Sequence, residues 1–303
     1  MSVLFLYNKS LKCYTMYHKT AEKIREQDMK VVLGVDIGGS TTKIVALDEN
    51  KRCIATLQVK AADQITALYG AIGNLLYRNK ISFDQVRKIV LTGVGSSQVE
   101  GSSIYDIPGF KVDEFEAIGH SGLIMSGLDE TLVISMGTGT AFVHAKNGVY
   151  KHIGGSGVGG GTLMGLAAKL LGESDVMAIS ELAKGGNAAN VDLAIDEISN
   201  IDTTALPTYV TASNFGKLKS NATDADIALG ILNMIYQTVG MLAVFACRNT
   251  DIKTIVVTGS VATLPQAEEL LGAVGRLCGV RFIIPEEAQF ATAIGAASLC
   301  FED

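Results

Sequence analysis

The feature that most limits the folds open to this chain is an order of elements that occurs twice. Residues 30–36 (KVVLGVD) form the unbroken apolar run of a buried strand. Gly38-Gly39 turns the chain, 41–47 return as a second strand, 48–51 form a turn and 53–59 a third strand. A helix follows, with Ile65, Leu68, Ile72 and Leu76 at helical spacing, then a strand at 88–92 and a helix around 114–125. About a hundred residues after Gly38 the order restarts. Strand 131–135 is followed by the turn Gly137-Thr138-Gly139-Thr140, strand 141–145, the hairpin turn Lys146-Asn147-Gly148, strand 149–153 and a helix at 163–171. Two halves that each open with a glycine-rich hairpin imply an internal duplication, with ligands expected in a cleft between the lobes.

The remainder reads as mostly helical, at 174–184, 191–199 and 224–247. Then come a strand at 254–257, a helix from Pro265, a short strand at 280–284 and a C-terminal helix at 290–299. The expected division is a leader at 1–28, a first lobe at 29–128 joined by a C-terminal helix at 288–303, and a second lobe at 129–287. The leader has only a five-residue apolar run and no small-residue cleavage site, so it is a poor signal peptide, and translation is expected to begin at Met29.

Composition removes several classes of function. Apolar residues are 48% and charged residues 18% of the chain, enough for a large core and unlike a disordered chain. A net charge of −6 with no basic cluster argues against nucleic acid or anionic membrane as partners. Five scattered cysteines without CxxC spacing, and four scattered histidines, give no disulfide framework or zinc site. They fit a reduced, cytoplasmic protein. Residues 227–247 carry no charge and are long enough to span a bilayer, but Gly230, Asn233, Gln237, Thr238 and Gly240 interrupt them. A core or oligomer-interface helix is expected instead, with no membrane span.

Four glycine motifs carry the chemistry. In Asp36-Ile37-Gly38-Gly39-Ser40-Thr41-Thr42-Lys43 a strand-end carboxylate is placed to hold Mg2+, two glycines let backbone approach phosphate, and hydroxyls and Lys43 add donors. A hairpin turn with a capping aspartate would look the same locally; the matching turn at 137–140 favours the phosphate reading. The run 154–162 (GGSGVGGGT) enters a helix and could cradle phosphate or ribose with amides. It also satisfies G-x-G-x-x-G, but it follows the third strand of a hairpin set rather than opening a βαβ unit, so a dinucleotide fingerprint is rejected. Thr258-Gly259-Ser260 ends a strand where a flat adenine could lie against glycine, or where the chain simply turns. Asp113-Glu114-Phe115-Glu116-Ala117 begins a helix, and its acids suit either a helix cap or a general base.

In the order DIGGSTTK, EFEA, MGTGT, GGSGVGGGTLMGL, SNFG and VVTGS, these residues resemble the type II pantothenate kinases of the acetate and sugar kinase/actin superfamily, over nearly the whole chain from Lys30. The resemblance implies an α/β fold of two actin-like, ribonuclease-H-like lobes with an ATP cleft between them. It implies transfer of the ATP γ-phosphate to the primary hydroxyl of pantothenate in coenzyme A biosynthesis. By motif position Glu114 is the catalytic base. Asp36, Gly38, Gly39, Ser40, Thr41 and Lys43 form the first phosphate loop, with Lys43 near the β- and γ-phosphates. Thr138 and Gly139 form the second loop, Gly160, Gly161, Thr162, Leu163 and Met164 the glycine run, and Ser260 the adenosine motif. ATP and Mg2+ are the implied cofactors, Asp36 the metal residue, and a homodimer through the uncharged helix the implied assembly.

The chain departs from the family pattern at three places. His152 stands where an arginine is usual, Ala141 where a serine is frequent, and Val176 near where some members have a tyrosine. These leave the ATP motifs intact and bear on the acceptor. A sugar or amino-sugar kinase of the same fold is the alternative acceptor reading. An ATP-driven reductase activator would share the first loop, but it would carry cysteines near the adenosine motif, and 258–265 has none. A non-catalytic ATP-dependent scaffold is a third alternative.

Overall fold

The structure is a computed structural model describing residues 29–60, 63–198 and 210–301. The leader at 1–28 lies outside the described residues. By internal contact the chain forms two units, one running to Lys111 and including Cys300, the other spanning Val112–Leu299.

The first unit is built on a six-stranded sheet. Its strands are β1 (Val31–Ile37), β2 (Thr41–Leu47), β3 (Cys53–Lys60), β4 (Val86–Thr92), β5 (Ser103–Ile104) and β6 (Ile107–Lys111), in the order β3-β2-β1-β4-β6-β5. β1, β2 and β3 pair antiparallel, while β4 joins β1 and β6 joins β4 in parallel. Alternate residues Leu33, Val35 and Ile37 of β1 meet Ile44 and Ala46 of β2 in one core. Helix α1 (Gln64–Asn79) covers it with Leu68, Ala71, Ile72, Leu75 and Leu76, the i, i+3, i+4 stripe of a half-buried helix. Asp63 caps α1 by accepting from the Thr66 amide, and Lys80 ends it in the left-handed region.

The second unit repeats this plan. Its strands are β7 (Glu130–Met136), β8 (Thr140–Lys146), β9 (Val149–Ser156), β12 (Thr254–Thr258) and β13 (Arg281–Ile283), in the order β13-β12-β7-β8-β9. Again the three hairpin strands are antiparallel and the two later ones parallel. The turn at Asn147-Gly148 has both residues at positive φ, as a two-residue hairpin requires. Helix α2 (Glu114–Ser126) packs on β7, β8 and β9 and against α7 (Ala291–Leu299). A side chain at Gly295 would lie 2.0 Å from the Ala117 carbonyl, so the α2–α7 contact is a backbone-close one. The expected boundary after 128 would have placed both helices with the first sheet; their contacts place them in the second unit.

The rest of the second unit is helical: α3 (Gly160–Leu171), α4 (Val176–Ala183), α5 (Asp224–Ala246) and α6 (Ala267–Cys278). α5 is the one described helix long and apolar enough to cross a bilayer, and over half of its apolar window is buried in the protein. Ile231, Leu232, Ile235, Tyr236 and Val239 sit in the core beside β7, β12 and α6. The helix expected at 191–199 is not formed over the described part, 191–198. Residues Leu193–Ala194 (β10) pair instead with Thr211–Ser213 (β11), and Ile195–Glu197 is a short 3₁₀ turn. Asp192 decides this locally: its buried carboxylate accepts from Asn233, Asn214 and the Phe215 amide, bonds that a helix at this position would have to give up.

Candidate active site

In the first unit the ends of β2, β1 and β4 carry Lys43, Asp36 and Thr92 in one register row. Residues opposite one another in adjacent strands point to the same face, so these three side chains share it. Burial pushes the Asp36 carboxyl above its ordinary range, and the Lys43 ammonium beside it draws it back down. Lys43 is itself buried, so its charge acts first on Asp36. The β1–β2 turn is closed by the Gly38 amide donating to Thr41 O at 3.0 Å, with Gly39 and Ser40 exposed at its tip.

After β4 the chain turns through Gly93 at φ +84°. A side chain there would lie 2.6 Å from Asp36 Oδ1 and 2.7 Å from Ile37 O. Gly93 thus lets the backbone close on the Asp36 carboxylate. Sequence reading missed Thr92 and Gly93; the available signal was that Thr92-Gly93 repeats Thr258-Gly259 at the same strand end of the other half. Among the described residues no three of His, Cys, Asp or Glu converge to cage a metal. A hydrated Mg2+ that arrives with phosphate needs only one or two carboxylates, and the half-buried Asp36 carboxylate beside the Thr92 hydroxyl offers oxygen donors suited to such a hard ion.

In the second unit the turn Gly137–Gly139 and the start of α3 are one structure. The Gly160 amide donates to Gly137 O at 2.9 Å, and the Gly161 amide to Thr138 O at 2.8 Å. A side chain at Gly159 would meet the Thr138 and Gly139 carbonyls at 2.9 Å. Gly159, Gly160 and Gly161 therefore let the helix start lie on the turn. This corrects the expectation that these helix amides cradle phosphate: those of Gly160 and Gly161 are engaged by the turn. Thr162 closes the same loop, its hydroxyl donating to Gly157 O at 2.9 Å. Leu163 packs in the core, so its side chain is not a nucleotide contact, whereas Met164 is half-buried. β9 runs into α3 from the third strand of an antiparallel set, as expected when the dinucleotide fingerprint was rejected.

Gly259 lies at φ +94°, where a side chain would be 2.4 Å from Met136 O. Strand packing, not room for an adenine ring, is what demands this glycine. Ser260 follows it half-buried, and the next turn is held by Tyr236 of α5, whose hydroxyl donates to Val261 O at 2.6 Å. Burial raises that phenol above its ordinary range.

Glu114 is the first residue of α2. Asp113 makes the cap, its Oδ1 accepting from the Phe115 and Glu116 amides at 2.9 and 3.1 Å. The two readings of these acids thereby separate: Asp113 caps, and Glu114 is half-buried beside it. Next to Glu114, Phe115 stacks on His152 of β9 with ring centroids 3.9 Å apart and planes at 13°. Phe115 also shares a small apolar cluster with Ala141 and Tyr150. Of the three departures from the family pattern, His152 thus touches Phe115 and Ala141 borders the same apolar cluster. His120 fixes α2 here, with Nδ1 2.8 Å from the Tyr150 hydroxyl and Nε2 3.2 Å from Ser298 Oγ.

The two sheets define the class first: an α/β, actin-like fold with duplicated ribonuclease-H-like sheets. Solved structures agree. The activator of 2-hydroxyisocaproyl-CoA dehydratase from Clostridium difficile with bound ADPNP superposes with a TM-score of 0.66 at 19% identity, covering 90% of this chain and 94% of that one. Component A of (R)-2-hydroxyglutaryl-CoA dehydratase from Acidaminococcus fermentans gives 0.65 at 20% identity, with 90% and 98% covered. A ROK family glucokinase from Streptomyces griseus with glucose and AMPPNP gives 0.61 at 14% identity, with 89% and 98% covered. At these identities the likeness is one of fold.

The narrower resemblance comes from sequence. The Fumble family model matches residues 130–269. The type II pantothenate kinase of Bacillus thuringiensis subsp. konkukian is 27% identical over 242 residues, 77% of this chain and 83% of the relative. That of Staphylococcus aureus strain USA300 is 27% identical over 241 residues, 77% and 84%. The resemblance to type II pantothenate kinases drawn from the motifs is borne out.

Proposed function

We propose that this chain is an ATP-dependent pantothenate kinase. The observation that carries the reading is at the start of α2. Asp113 takes both capping bonds, so Glu114, at the family's catalytic position, is not needed as the helix cap. In the proposed reaction the Glu114 carboxylate accepts the proton of the acceptor's primary hydroxyl as its oxygen bonds to the γ-phosphorus, and ADP leaves. Such a base contributes roughly 10²–10⁴-fold. Phosphoryl transfer otherwise asks mainly for positioning and charge neutralisation. The turn at Gly38–Thr41 and the turn at Thr138–Gly139 are assigned to phosphate, Ser260 to the nucleoside, and Asp36 to the metal. Mg2+, when bound with ATP, would neutralise charge on the transferring phosphate. Lys43 is assigned to the β- and γ-phosphates, as its motif position implies.

The same reading makes the protein cytoplasmic and homodimeric. Leu242 and Phe245 on α5 are 38% and 53% exposed and would form the apolar centre of the dimer contact.

The acceptor is tested by ADP release from the purified protein with MgATP, comparing no acceptor, pantothenate, and a panel of hexoses and amino sugars. Pantothenate-dependent release, with phosphopantothenate identified by mass, is the expected result. Release with sugars alone would move the acceptor to the alternative that the exchanges at His152 and Ala141 leave open. Release with neither would overturn the kinase reading in favour of an activator or scaffold.

A further inference from the structure

The two sheets end in comparable rows. In the first unit the row is Lys43–Asp36–Thr92, and in the second it is Ala141–Ser135–Thr258. Each threonine is the last residue of the parallel strand beside the central one, and each precedes a glycine at positive φ. Both are buried, Thr92 to 0% and Thr258 to 1% exposure. Their hydroxyls differ. That of Thr258 donates to Ile134 O at 3.2 Å. That of Thr92 has no hydrogen-bond partner, although five strands of the first sheet repeat the order of the second.

A buried hydroxyl without a partner costs stability, and a valine of similar shape would avoid the cost. Such a group needs a reason, and its surroundings supply one. The three buried side-chain oxygens without partners among the described residues are those of Thr42, Gln64 and Thr92. Thr42 is the second residue of β2, pairs with Ile37 and so faces the side of the sheet opposite Thr92; Thr92 is the last residue of β4, and the Gln64 amide reaches Gly38 O at 3.5 Å. All three flank the first glycine turn. Thr92 is next to Asp36 in register, and the backbone that follows it closes on Asp36 Oδ1. Lys43 lies on the opposite side of Asp36, since β2 and β4 flank β1.

We infer that Thr92 and Asp36 together position a hydrated divalent cation bound with nucleotide phosphate, the Thr92 hydroxyl holding one of the cation's waters while Asp36 supplies the charge. Thr92 is a positioning residue, acting through water. Its hydroxyl is retained at the expense of the empty protein's stability because it is satisfied when the cation binds. This inference rests on the nucleotide-binding reading above.

The test uses the full chain with Thr92→Val, which removes the hydroxyl, and Thr92→Ser, which keeps it. Two quantities are measured: the thermal midpoint without metal or nucleotide, and Mn2+ affinity in the presence of ADP by electron paramagnetic resonance. Thr92→Val is expected to melt at or above the wild-type midpoint and to bind Mn2+ with ADP at least about tenfold more weakly. Thr92→Ser is expected to stay within about threefold of wild type in Mn2+ affinity. ADP affinity measured without metal is expected to be unchanged in both. Wild-type Mn2+ affinity in Thr92→Val would overturn the inference alone. A lower midpoint or loss of folded protein in that variant would also overturn it, because the hydroxyl would then have a structural partner. Absence of any Mn2+-dependent ADP binding in the wild-type chain would instead remove the nucleotide reading and this inference with it.

Discussion

At the scale of single residues, the neighbourhood of Glu114 carries the sharpest expectations. Glu114→Gln keeps the shape and hydrogen-bonding reach of the side chain but removes its basicity. It is expected to lower kcat by roughly 10²–10⁴ while ADP binding stays at the wild-type level. Full turnover in that variant would take the base role from Glu114. His152 makes a different prediction because its ring is stacked on Phe115, one residue away. His152→Ala removes that ring and is expected to cost about 0.5–1.5 kcal/mol of stability. It should raise the KM for the acceptor while leaving the KM for ATP alone. An equal change in both KM values would show that His152 supports the fold generally rather than the acceptor end of the site. The importance of His152 was visible in the sequence as an exchange at a motif position. Its partner was not, because it lies 37 positions after Phe115 and only the packing of α2 on β9 brings the rings together.

At the scale of elements, the start of α5 shows how a polar network fixes an apolar helix. Thr223 and Asp226 bond reciprocally, the Asp226 amide to Thr223 Oγ1 at 3.3 Å and the Thr223 amide to Asp226 Oδ2 at 2.9 Å. Asp226 also accepts from the Asn187 amide at 2.7 Å and Asn190 Nδ2 at 3.1 Å. The Thr223 and Asn187 amides, with the smaller contribution of Asn190, hold its carboxyl down at about 2, against 3.8 for the ordinary group. A carboxyl held low in the folded chain binds its proton more readily when unfolded. Its contribution is therefore complete above about pH 4 and is lost as pH falls towards 2. Asp226→Asn is expected to lower the thermal midpoint at pH 7 and to flatten the decline of the midpoint between pH 4 and 2; an unchanged acid profile would contradict the assignment. Most elements of this kind could be read from apolar spacing and turn residues, as with β1, β2, β7, β8 and α5. The strand β6 could not, because Pro108 and Gly109 break its pattern and its place is set by pairing with β4 and β5. Residues 191–199 misled for the opposite reason: the spacing was helical, but the Asp192 network outweighed it.

At the scale of the whole molecule, the duplication is one sheet plan put to two uses. The repeat was legible because the glycine hairpins recur at matching points, but the reasons for the glycines were not. Sequence shows that a turn is glycine-rich; only the backbone shows whether ligand or neighbouring chain demands it. Gly93 and Gly259 illustrate this. Each follows a strand-ending threonine at positive φ, and each would drive a side chain into the backbone at the end of the central strand, at Ile37 O (2.7 Å) and Met136 O (2.4 Å). Alanine at either position combines an unfavourable backbone conformation with a backbone collision that no flexible neighbour can relieve. Gly93→Ala and Gly259→Ala are each expected to destabilise the chain by at least about 2 kcal/mol, read as a fall of about 4 °C or more in thermal midpoint. Their effects on cation binding should differ. Gly93 closes on the Asp36 carboxylate, whereas the residue at the matching place in the second row is Ser135. Under conditions where both variants are folded, Gly93→Ala should weaken Mn2+ binding in the presence of ADP beyond any loss seen in Gly259→Ala. Equal losses would mean that the two strand ends do the same work, and that the charged row of the first sheet has no separate part in holding the cation.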